Sequence, residues 1–133
     1  MKEGKDTDKK FGFSKAERLN SKKEIDALFQ KGASFYFYPF LIKYSPSENS
    51  EAQCHQALIS VSKRNFKRAV DRNRVKRLVR ESYRLNKAIL DDTGQYYSIA
   101  YIYTAKEIHK FAFVQKKLIG ALKRLLAQIE KQA

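Results

Sequence analysis

The chain has 133 residues, 43% of them hydrophobic, which is enough for one core and too many for a wholly disordered protein. Its 28 Lys and Arg against 14 Asp and Glu leave a formal charge of +14, an excess that repels itself unless a polyanion screens it. No apolar run approaches the roughly 20 residues that span a bilayer, so a membrane role is set aside and nucleic acid becomes the first polyanion to consider.

Residues 1–10 (MKEGKDTDKK) are polar and lack the apolar core of a secretory signal; they read as a tail before a single domain over 11–133. Ser21 to Gly32 predicts a short helix, because Ser21 and Glu24 have capping-box spacing and Gly32 sits where a helix stops. Its apolar residues Ile25, Leu28 and Phe29 fall at i, i+3 and i+4 as a narrow stripe. Between Ser34 and Tyr44 the chain is dense in aromatic and β-branched residues, interrupted by Pro39. This pattern predicts two strands, about 34–38 and 39–45, joined tightly at the proline. Residues 45–55 (SPSENSEAQCH) have loop composition, and the single cysteine, Cys54, excludes an internal disulfide and suits a reducing cytoplasm. Gln56 to Ser62 alternates around Ile59 and Val61 as a third strand. A basic helix follows, starting within 66–71 and ending near Ile89. Gly94 marks a turn, Tyr97 to Thr104 a fourth strand, and the chain closes on a helix that ends near Lys131. The helix's stripe of Phe111, Val114, Leu118, Leu122, Leu125 and Ile129 is core; Thr104 with Glu107 is one possible cap, and a start several residues later is the alternative. The order αβββαβα is that of an α+β two-layer sandwich, a four-stranded sheet with helices packed on it.

The basic helix carries the functional signal. Residues 63–87 hold eleven Lys or Arg and only two acids, Asp71 and Glu81. At 100° per residue, Val75, Leu78, Val79, Ser82, Leu85 and Ile89 share the side that must pack on the sheet. Arg72, Asn73, Lys76, Arg77, Arg80, Arg84 and Lys87 fall on an adjacent arc of roughly 140°. Arg72–Lys76, Lys76–Arg80 and Arg80–Arg84 are like-charge pairs at i, i+4, each costing a few tenths of a kcal/mol in an isolated helix. A merely solvated face interleaves Glu with Lys; this one does not, and a phosphate backbone laid along it supplies the missing compensation. RNA is favoured over duplex DNA by the aromatics nearby, Phe35, Tyr36, Phe37, Tyr38, Phe40 and Tyr44, since single strands stack on aromatics beside positive grooves. Aromatics are also ordinary strand formers, so most of these belong to the core.

Ser60-Val61-Ser62-Lys63-Arg64, followed by Ala69-Val70-Asp71-Arg72-Asn73-Arg74-Val75-Lys76-Arg77-Leu78-Val79-Arg80-Glu81, resembles the bacterial ribonuclease P protein subunit. The Arg-Asn-Arg core with its following Lys-Arg and Arg is that family's signature. A weaker likeness extends through Arg18-Leu19, the first helix and the order of elements, over about residues 13–130. The resemblance implies a protein that performs no bond breaking itself. A large RNA subunit uses Mg²⁺ to remove the 5′ leader of precursor tRNA, and the protein binds no cofactor alone. It implies that Arg72, Asn73, Arg74, Arg77, Arg80 and Arg84 contact the RNA subunit. Ile25, Phe29, Lys43, Tyr44, Lys63, Arg64 and Lys76 would face precursor tRNA in a cleft between the first helix and the sheet. It further implies one protein copy per complex and a left-handed crossover between the third and fourth strands, against the usual rule. Three features depart from the family: Ile25 stands where an aromatic is common, ungapped matching puts Lys43 rather than Tyr44 at an often aromatic strand position, and Asn65–Arg68 is one residue longer than usual.

An intrinsic nuclease site finds little support in the residues. His55 and His109 are the only histidines, Asp91-Asp92 is the only adjacent acidic pair, and the five glycines form no phosphate-binding loop. Two other classes remain open: a non-enzymatic or ribosome-associated RNA binder, and a DNA-binding regulator. The regulator needs a helix-turn-helix pair or a dimer interface, whereas this helix is flanked by strands.

Overall fold

The computed structural model describes residues 13–48, 52–91 and 93–132; the tail expected over 1–10 lies outside them. Three α-helices, α1 (Lys22–Lys31), α2 (Ala69–Asn86) and α3 (Phe111–Gln132), accompany four strands. The strands are β1 (Ala33–Phe37), β2 (Phe40–Pro46), β3 (Gln56–Val61) and β4 (Tyr97–Tyr103), in the chain order αβββαβα. Short 3₁₀ turns occupy Lys15–Glu17 and Lys87–Leu90. The sheet order is β1-β2-β4-β3; β1·β2 and β2·β4 are antiparallel, whereas β3·β4 is parallel and joined through α2.

Period-2 alternation splits the sheet into two faces. Phe35, Phe40, Ile42, Tyr44, Ala57, Val61, Ile99, Tyr101 and Tyr103 point to one side and form the main core with Val75, Val79 and Tyr83 of α2 and Val114, Leu118, Leu122, Leu125 and Ile129 of α3. The neighbouring residues, among them Ala100 and Leu58, point the other way, where Leu28 and Ile25 of α1 and Leu19 cover part of that face. Gly120 lets α3 lie against β1: a Cβ there would stand 2.6 Å from the Phe37 ring.

Local signals place the ends of the elements. Ser21 Oγ accepts from the Glu24 N–H at 3.4 Å, and the Gly32 N–H closes α1 on the Leu28 carbonyl at 2.8 Å. Gly94 turns the chain into β4 at φ +80°, a conformation that favours glycine. Two expectations need correcting. Thr104 and Glu107 do not cap α3, which takes the later of its two possible starts, at Phe111. Thr104 instead ties the end of β4 to the β1–β2 turn, its N–H and Oγ1 both donating to the Pro39 carbonyl at 2.8 and 3.0 Å. In α2 the buried stripe is Val75, Val79, Ser82 and Tyr83, while Leu85 is 42% exposed. The helix is therefore turned about 50° from the expected setting, because Tyr83 offers the sheet a larger apolar ring than Leu85 offers a side chain.

Long-range polar contacts fasten the periphery. The buried Glu17 carboxylate accepts from Ser14 N–H and Oγ at 3.1 Å and meets Lys87 Nζ at 2.5 Å, fixing the N-terminal turn to the end of α2. His55 receives the Tyr97 N–H on Nδ1 at 3.0 Å and donates from Nε2 to the Leu90 carbonyl at 2.9 Å. Nε2 therefore carries the proton, and burial holds the neutral imidazole's pKa below its ordinary value.

Candidate nucleic-acid interface

The rotation of α2 sorts its cations. Arg72 and Lys76 move to the margin of the buried stripe, while Asn73, Arg74, Arg77 and Arg80 stay exposed. Arg72 Nη1 donates to the Phe66 and Lys67 carbonyls, both at 2.9 Å, so it braces the linker that enters the helix. That linker is anchored further by Phe66 packed on Tyr103 and by Asn65 Nδ2 donating to the Thr104 carbonyl at 3.1 Å. Arg84 forms an ion pair with Glu81, which lowers the Glu81 pKa, and Lys87 is committed to Glu17. Of the cations expected on the RNA-facing arc, Arg72, Arg84 and Lys87 thus have partners within the chain. Arg74, Arg77 and Arg80 have no hydrogen bond or ion pair to any described residue. Lys76 and Arg80 line one wall of a groove whose other walls are Phe13, Arg18, Leu19 and Leu58.

The second surface is the sheet face that α1 only partly covers. Tyr36, Leu41, Ile102 and Ser60 lie in register across all four strands on this side. Tyr36, at the outer end of the row, is 54% exposed. Beside the row, Leu28 of α1 is fully buried whereas Phe29 is 39% exposed, and Lys43 Nζ sits 5.6 Å from the Phe29 ring centroid. A cation over an aromatic face at the edge of an open strand row offers one group for a base and one for its phosphate. Ile25 is half-buried against Leu28 and Ala100, so it supports the helix more than it faces the cleft.

Tyr44 is a correction. It was expected to face the leader, but it is 3% exposed on the main-core side, in edge contact with Phe35 and Tyr97. Adjacent strand residues point to opposite faces, so Lys43 and Tyr44 cannot serve the same cleft. Lys63 and Arg64 lie exposed in the turn after β3, where the Arg64 N–H donates to Ser62 Oγ. Missing from the expected set are Leu41 and Ile102, which complete the floor; the alternation of Phe40, Ile42 and Tyr44 with Leu41, Lys43 and Ser45 marks that face.

Among the described residues, no three His, Cys, Asp or Glu side chains come together as a metal-binding set, and no helix is long and apolar enough to cross a membrane. Comparison with known proteins matches residues 13–126 to the Ribonuclease P family model. The ribonuclease P protein component of Porphyromonas gingivalis is 40% identical over 127 residues, covering 92% of this chain and 93% of that one. Two solved structures share the fold. The RNase P protein of Staphylococcus aureus has a TM-score of 0.67 at 25% identity, covering 84% of this chain and 96% of that one. The RNase P protein from Thermotoga maritima has a TM-score of 0.67 at 27% identity, covering 81% and 96%. With the family model spanning most of the sequence and a relative alike over nearly its whole length, the chain belongs to the ribonuclease P protein family.

Proposed function

We propose that this chain binds the RNA subunit of ribonuclease P through the exposed face of α2 and holds the 5′ leader of precursor tRNA in the cleft between α1 and the sheet. The observation that carries the reading is the middle of α2, where Arg74, Arg77 and Arg80 are exposed and have no hydrogen bond or ion pair among the described residues. Phosphates laid there relieve repulsion that the fold leaves unrelieved, and each neutralised phosphate releases counterions. In this reading the hydrolysis belongs to the RNA and its Mg²⁺, and the protein supplies positive charge and a grip on single-stranded leader. By neutralising backbone charge, the protein lets the RNA work with less bulk cation.

The test is cleavage of precursor tRNA by the chain alone, by the RNA subunit alone and by both together, at low Mg²⁺. The expected result is cleavage only by the combination. Robust cleavage by RNA-free protein, abolished by a carboxylate substitution, overturns the proposal.

A further inference from the structure

We infer that Tyr38 is a second base-stacking position for single-stranded RNA, outside the α1 cleft, with Lys110 and Lys117 meeting the flanking phosphates. The inference shares with the proposed function only the premise that the chain meets RNA; it does not require the cleft to hold the leader.

Tyr38 lies in the turn between β1 and β2 and is 43% exposed. Its hydroxyl is 3.1 Å from His109 Nε2, and its ring makes edge contacts with His109 at 5.9 Å and Phe113 at 6.5 Å. Phe113 is engaged on its own account: the His109 ring, tilted 32° to it, lies 4.2 Å away, and Lys117 Nζ is 5.5 Å from its centroid. The three rings therefore divide the work. Phe113 and His109 form a packed base, and Tyr38 stands on it, tethered at its hydroxyl, with much of its surface open to solvent. A tethered ring loses little rotamer freedom when a base stacks on it.

The charge around this ring fits a nucleic acid strand. Lys110, Phe113 and Lys117 are spaced i, i+3 and i+7 about the start of α3, which puts both lysines on the same side as the aromatic base. Residues 104–117 carry four lysines and one acid, Glu107, whose Oε1 lies 3.5 Å from His109 Nε2. A lock between the hairpin and α3 accounts for the Tyr38–His109 contact, but it does not account for an open ring flanked by cations. The position also continues the open sheet row. Tyr36 Oη is 3.2 Å from Thr104 Oγ1, which donates to the carbonyl of Pro39, the residue after Tyr38. One residue thus links the end of the row to the turn that carries the second ring.

The experiment uses the full chain and a single-stranded oligouridylate substituted with 4-thiouridine, photocrosslinked and mapped by peptide mass spectrometry. Adducts are expected on Tyr38 or Phe113, and they should be lost in the double variant Lys110→Ala/Lys117→Ala. Adducts at Phe29 without any on Tyr38, His109 or Phe113 leave the cleft standing and overturn this site; the reverse pattern supports this site and counts against the cleft. Titration with the same oligouridylate provides a second readout. Tyr38→Ala should weaken binding by ~10-fold with the chain still folded at the assay temperature by thermal melt, whereas Tyr38→Phe, which keeps the ring and loses the tether, should bind nearly as well as the parent. Affinity unmoved by Tyr38→Ala and by the lysine pair overturns the inference and makes the cluster a hairpin lock or a contact for another protein.

Discussion

Replacing Phe29 by Ala separates a leader-gripping ring from a core ring. Adjacent residues of α1 provide the contrast: Leu28 is fully buried, while Phe29 is 39% exposed under the Lys43 ammonium. Burying a whole Phe side chain is worth about 1.5–3 kcal/mol by area. With roughly three-fifths of it covered and no closed cavity left behind, Phe29→Ala should cost about 1–2 kcal/mol of folding stability, well inside a typical margin of 5–15 kcal/mol. Leu28→Ala opens a true cavity and should cost about 2–5 kcal/mol. If Phe29 stacks on a leader base, its loss should weaken holoenzyme binding to precursor tRNA by about 1–3 kcal/mol, between roughly 5- and 150-fold. Binding to mature tRNA, which lacks the leader, should hardly change. The assay is a pair of titrations, precursor against mature tRNA, with a thermal melt of each variant. Parallel losses for both tRNAs would return Phe29 to a purely structural role and refute the reasoning.

Arg74, Arg77 and Arg80 replaced together by Ala should flatten the salt dependence of RNA-subunit binding by about two to three log units per log unit of salt; an unchanged slope would place the binding face elsewhere. Arg72→Met keeps most of the side chain's length but removes the Nη1 hydrogen bonds to the Phe66 and Lys67 carbonyls. It should lower stability by about 1–3 kcal/mol in chemical denaturation with the salt slope little changed, and a normal denaturation midpoint would disprove the bracing role. His55 is held neutral in the fold with its pKa below the ordinary 6.5, so the unfolded chain takes up a proton more readily. The stability that His55 contributes should be intact above pH 6.5 and decline as pH falls below it. Urea midpoints should therefore drop more between pH 7.5 and pH 5 in the parent than in His55→Gln, and equal drops would show that His55 is not the group responsible.

Much of this structure is legible from short-range pattern, and the exceptions have physical causes. The stripe of α3 is readable because Val114, Leu118, Leu122, Leu125 and Ile129 repeat at helical spacing, with Lys116, Lys117, Lys123 and Arg124 between them. Ser21 and Gly32 bound α1 because their chemistry is local. Tyr36 and Leu41 interrupt the polar face of β1 and β2 and blur the period of 2 that sends Tyr44 to the core. The clue was polar Lys43 and Ser45 on one side, opposite Phe40, Ile42 and Tyr44. The setting of α2 was misjudged because Tyr83 reads as neutral by composition, although Val75, Val79 and Tyr83 form an i, i+4, i+8 series. The Glu17–Lys87 pair and the His55 bonds to Tyr97 and Leu90 join residues distant in sequence, and no local pattern announces such contacts.

The charge on α2 is explained by where its partners lie along the helix. At the N-terminal end Arg72 finds two carbonyls; at the C-terminal end Arg84 finds Glu81 and Lys87 finds Glu17. Near each end, then, some of the cations are matched within the chain, and there the charge also serves the fold. Among the described residues, compensation stops at Arg74, Arg77 and Arg80, where the apolar series Val75–Val79–Tyr83 on the opposite side anchors the helix to the sheet. Packing of that series outweighs like-charge repulsion of a few tenths of a kcal/mol per pair, so the helix forms without a counter-charge in its middle. A face whose charge folding neither needs nor neutralises is free to be matched by an external polyanion. Lys76 and Arg80 extend that face into the groove beside Phe13, Arg18 and Leu19, so the phosphate contact proposed for α2 would share a border with the N-terminal turn that Glu17 and Lys87 hold in place.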